Sequence, residues 1–98
     1  MKVSDILRVK GNTLYTASPE EPLAGAVNAM AERDIGSLVV MEHGHLVGML
    51  TFREVIQAMV KGRGGVGSTV VRSAMDAAPL TCTLDTDMDE VRRMMLDR

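Results

Sequence analysis

TASPEEPLAGAVNAM (Thr16–Met30) and TCTLDTDMDEVRRMM (Thr81–Met95) lie 65 residues apart and share one pattern. Thr16 falls on Thr81, Leu23 on Met88, Ala26 on Val91 and Met30 on Met95. Just upstream, VSDIL (Val3–Leu7) resembles VRSAM (Val71–Met75) at an offset of 68. Self-similarity at a fixed spacing means that one supersecondary plan is used twice. Each copy reads as a short docking segment, a short strand and an amphipathic helix. The first copy runs on to about Lys61, whereas the second stops at Arg98, partway through the plan.

In the first helix Leu23, Ala26, Val27, Met30 and Ala31 follow the i, i+3, i+4, i+7, i+8 spacing of one buried face. Its start has two readings. Ser18-Pro-Glu-Glu21 fits a capping box with Pro19 in the first turn. The second copy favours a later start near Thr86, with Asp89 three residues on, which puts Pro22 at the first helical position. The later start is preferred. Downstream, SLVVME (Ser37–Glu42) and LVGMLT (Leu46–Thr51) are apolar runs around a glycine-containing turn, which spells a β-hairpin. A second helix runs from Arg53 to about Lys61 and is expected to bury Val55, Ile56, Met59 and Val60. Gly62–Ser68 ends it with a flexible connection.

Composition excludes several function classes. The chain has 98 residues, of which 46% are hydrophobic and 24% charged, ordinary usage for one small globular domain. The longest uncharged stretches, Pro22–Ala31 and His43–Phe52, are ten residues each, about half of what a bilayer span requires. The N-terminal segment carries Asp5 and Arg8 among its apolar residues and is not a secretory signal. A net charge of −2 with one tyrosine and one phenylalanine speaks against a nucleic-acid face. The single cysteine excludes an internal disulfide and fits a reducing cytoplasm.

Several tempting motifs read as structure. Gly62–Gly67 matches GxGxxG, but a helix precedes it where a strand is needed, and Ser68 stands where a phosphate loop needs lysine. His43 and His45 flank a turn glycine and read as exposed imidazoles, since no third metal ligand is evident. Cys82 reads as a small buried hydrophobe in a strand, and the nine methionines mostly as core. No nucleophile with a base and an orienting partner is present, so the chain is not expected to be an enzyme.

The stretch that can carry chemistry is GMLTFRE (Gly48–Glu54), where a buried strand runs into a helix. Thr51 and Glu54 form a T-x-x-E capping box, worth about 1 kcal/mol to the helix. The same place offers helix-terminal N–H groups and a hydroxyl to a phosphate, with Arg53 as a further donor. A carboxylate one turn along can accept from two vicinal ribose hydroxyls.

Docking segment, strand, helix, hairpin, then Thr51-Phe-Arg-Glu54 opening a helix, begun again about 65 residues later, resembles the cystathionine-β-synthase (CBS) domain family. The residues that carry it are Val3–Leu7, Thr16–Pro19, Ile35–Val40, Gly44–Gly48 and Thr51–Glu54, then Val71–Met75 and Thr81–Leu84. The resemblance implies an α/β (α+β) fold, strand-helix-hairpin-helix around a three-stranded sheet, with the first half of a second motif. Residues 1–61 would be the first motif, 62–70 a glycine-rich linker and 71–98 the partial second motif. Such motifs work in tandem pairs, often as homodimers, and bind adenosine-containing ligands: AMP, ADP, ATP, dinucleotides such as NAD(H), or S-adenosylmethionine. AMP or ATP is the first expectation here. By the match, Glu54 holds the ribose, Thr51 the phosphate, and Thr16, Ala17, Pro19, Ile35, Gly36, Ser37 and Leu38 line the base pocket. A structural or dimerising scaffold without ligand is the alternative. Two departures stand out. Glutamate replaces the commoner aspartate at position 54, and the second motif lacks its hairpin and last helix. That truncation fits either a piece of a longer protein or a layer supplied by a second copy.

Overall fold

Val40 pairs on one side with Ala17 and on the other with Gly48, and around that rung the expected three-stranded sheet assembles. The computed structural model describes residues 1–11, 14–62 and 66–97. Strand β1 (Thr16–Ala17) runs parallel to β2 (Ser37–Glu42), which is antiparallel to β3 (His45–Thr51), in the order β1-β2-β3. Helix α2 (Leu23–Arg33) connects β1 to β2, and α3 (Phe52–Lys61) follows β3 without a break. The other helices are α1 (Val3–Lys10), α4 (Val71–Ala74) and α5 (Met88–Leu96). Two compact units result. Residues 15–79 form a sheet unit; residues 1–14 and 80–98 form a helical unit.

Period-two alternation builds the sheet unit's core. Leu38 and Val40 of β2 point inward while Ser37 is exposed. They meet Leu23, Ala26 and Met30 of α2, with Ala17, Leu50, Val55 and Val71 completing the buried cluster. The hairpin turns on His43 and Gly44, both at positive φ (52° and 80°), the two-residue turn whose twist suits the flanking strands. Both histidines are exposed, as the turn requires.

The start of α2 comes close to expectation: Pro22 is its N-cap and Leu23 its first residue. Four other expectations are corrected. Asp87, not Thr86, caps α5, its side chain accepting from the Asp89 N–H at 2.8 Å. Thr86 instead closes a turn, its hydroxyl accepting from the Thr83 N–H. No strand forms over Thr81–Leu84: among the described residues no strand pairs with this segment to give it a ladder, and Cys82 is exposed rather than buried. Helix α3 buries Val55, but Ile56, Met59 and Val60 are 59%, 42% and 74% exposed, since the sheet touches only the side carrying Glu54, Val55 and Ala58. Of the methionines Met30 alone is in the core, and Met95 lies exposed. The glycine-rich connection falls partly on residues 63–65, which lie outside the described residues.

The repeat reappears as matched backbone contacts, one set in each unit. In the sheet unit the Val71 N–H donates to Glu21, the Arg72 N–H to Pro19 and the Leu23 N–H to Thr69, at 3.0, 2.8 and 2.9 Å. In the helical unit the Val3 N–H donates to Thr86, the Ser4 N–H to Leu84 and the Met88 N–H to Met1, at 2.9, 3.0 and 2.7 Å. Bridges Pro22–Val70 and Lys2–Asp87 correspond in the same way. Every pair is related by the offsets of 65 and 68 seen in the sequence.

Candidate functional site

Thr51 ends β3 and caps α3, so one residue turns the chain from ladder to helix. Phe52, Arg53 and Glu54 make the helix's first turn. The sheet brings a second segment alongside: Ser37 pairs with Thr51, and the Phe52 N–H donates to the Gly36 carbonyl at 3.3 Å. Ile35, Gly36 and Ser37 therefore border the start of α3.

The capping box forms, and its geometry is one-sided. Oε1 of Glu54 accepts from the Thr51 N–H at 2.9 Å and from the Thr51 hydroxyl at 2.6 Å. The Glu54 side chain is folded back onto the sheet, leaving the residue 7% exposed. Among the described residues no side-chain oxygen is both sealed from solvent and without a partner. Oε2 of Glu54 has no hydrogen-bond partner there, so it reaches solvent. One carboxylate oxygen holds the cap and the other is not fully sealed from solvent.

The remaining candidate residues divide by depth. Ser37 and Gly36 are exposed and Ile35 half-buried beside that oxygen's strand end, while Leu38 is in the core. Thr16 and Ala17 stand one strand over, level with Val39 and Val40; Thr16 is exposed and Ala17 buried. Pro19 is buried, and its carbonyl is taken by the Arg72 N–H. Ala17, Pro19 and Leu38 can thus shape a site from beneath, whereas Thr16, Ile35, Gly36 and Ser37 present atoms at the surface. Arg53 is exposed.

Sequence reasoning passed over Phe52. Its ring lies against Gly36, where an added Cβ would sit 3.3 Å from the ring edge, yet the residue is 58% exposed. The signal was present as the chain's one phenylalanine, set at a helix position that ordinarily faces water. Of the described cations in the sheet unit, Arg33 lies over the Tyr15 ring at 4.7 Å and Arg72 pairs with Glu20 and Glu42, both at 2.6 Å. Lys61 is at the far end of α3.

Three comparisons place this arrangement among known proteins. A family model described as the CBS domain matches residues 3–61. A CBS-domain-containing protein from Agrobacterium tumefaciens is 26% identical with a TM-score of 0.90, covering 98% of this chain and 72% of its own. The CBS domain NE2398 is 26% identical with a TM-score of 0.92, covering 99% and 76%. The CBS domain pair of protein MJ0100, solved with 5′-methylthioadenosine and S-adenosyl-L-methionine, is 23% identical with a TM-score of 0.83, covering 99% and 73%. No protein of curated function matches the chain.

Proposed function

Since the chain belongs to the CBS domain family, we propose that it is a regulatory module that senses an adenosine-containing small molecule at the start of α3. The ligand is drawn from AMP, ADP, ATP, NAD(H) and S-adenosylmethionine. Oε2 of Glu54 takes the ribose hydroxyls, and Ile35–Ser37 with Thr16 border the base. Ala17, Pro19 and Leu38 form the floor, and Thr51 and Arg53 meet the 5′ end. The role is binding rather than catalysis, in the cytoplasm where such metabolites are held. Two copies associate through CBS–CBS packing, for which Ile56, Met59 and Val60 offer an exposed apolar face on α3. No helix among the described residues is long and apolar enough to cross a membrane.

The observation that carries this reading is the split carboxylate. Oε1 takes both Thr51 donors, which leaves Oε2 uncommitted and available to a ligand hydroxyl. The MJ0100 pair, with two adenosine compounds bound to the same fold, supports the choice of nucleoside. A hydrogen bond to a charged group contributes about 1.5–3 kcal/mol, so Glu54→Ala should weaken nucleoside binding by about one to two orders of magnitude. The melting free energy should fall by only about 1 kcal/mol, the value of a cap. Calorimetry giving equal affinities for variant and wild type would remove Glu54 from the site.

The second reading, a scaffold without ligand, draws on the same residue. Both Thr51 donors are already committed to Glu54, which is sufficient reason for a T-x-x-E sequence. A thermal-shift panel of adenosine compounds separates the two. Binding at a hundredfold excess over Kd stabilises by about 2.7 kcal/mol, and a panel with no shift favours the scaffold.

A further inference from the structure

We draw no further inference here: the strongest candidate, the apolar surface patch of α1 and α5 in the helical unit, where neither helix holds a buried residue and Met95 and Leu96 are 73% and 80% exposed, carries nothing because nothing in the structure shows what covers it.

Discussion

A methyl group on residue 48 would have nowhere to go. Built on the backbone, it meets the Met75 sulfur at 2.7 Å and the Asp76 carbonyl oxygen at 2.8 Å. That crowding has a cause in the ladder: Met49 and Asp76 exchange N–H···O bonds of 2.9 Å in both directions, so the segment after α4 presses against β3. Gly48→Ala should cost about 1–3 kcal/mol in urea unfolding, the usual penalty of overpacking. Gly25, inside α2 with nothing within 4 Å of its hypothetical Cβ, provides the opposite case. Gly25→Ala should stabilise by about 0.5–1 kcal/mol. If both variants moved stability in one direction, close approach at Gly48 would not be the reason for its glycine. At this scale the sequence disclosed the pairing of Thr51 with Glu54 through spacing alone. It could not disclose which carboxylate oxygen would be used, because that depends on how the helix meets the strand. Phe52 escaped for a related reason: its position relative to Gly36 arises from the hairpin register, sixteen residues away in sequence.

Elements were legible where local pattern and tertiary partner coincide, and misread where the partner was missing. The hairpin is complete in itself, with a turn that demands positive φ and runs that alternate. Residues 81–84 carry the pattern of a strand, but β-structure needs a neighbour, and among the described residues no strand pairs with them. The apolar face of α3 was correctly spaced, yet a helix lying on one sheet face buries only the part of that stripe within reach. The cap of α5 is an element-scale feature that can be titrated. The Asp89 N–H, first, and then the chain's terminal ammonium hold the Asp87 carboxyl below its ordinary value of 3.8. A carboxyl depressed in the folded state binds its proton more readily when unfolded, so its stabilisation is present above pH 3.8 and lost as pH falls through the lower folded value. Asparagine caps nearly as well but does not titrate. In Asp87→Asn the helix should therefore persist by circular dichroism, while the fall of stability with acid below pH 3.8 becomes shallower. A variant with an acid limb identical to wild type would assign that limb to other carboxylates.

Over the whole molecule, the stretch that matches the family and the stretch that folds are different things. The family match ends at residue 61, but the sheet unit runs from 15 to 79 and takes α4 from beyond that limit. Val71 is fully buried in its core, and the backbone of residues 69–72 makes hydrogen bonds to Pro19, Glu21 and Leu23. Burying a valine side chain is worth about 1.5–3 kcal/mol and each backbone hydrogen bond about 1 kcal/mol, together a large part of what holds a domain of this size. In the helical unit Val3 and Ser4 make the corresponding bonds to Thr86 and Leu84, near the other end of the chain. Each unit is thus completed by a docking segment that the repeat assigns to the other copy. The internal repeat was visible in the sequence; this exchange was not, because self-similarity says which segments are alike and nothing about which one each of them touches. The consequence is a sharp contrast between two fragments. A fragment of residues 15–79 should melt cooperatively and give dispersed amide resonances. A fragment of residues 1–61, although it holds the entire family match, should do neither, having lost Val71 and the strand partner at Asp76 while keeping an α1 with nothing to dock on. A cooperative transition in the 1–61 fragment with the midpoint of the intact chain would show that the exchange of docking segments contributes little to the fold.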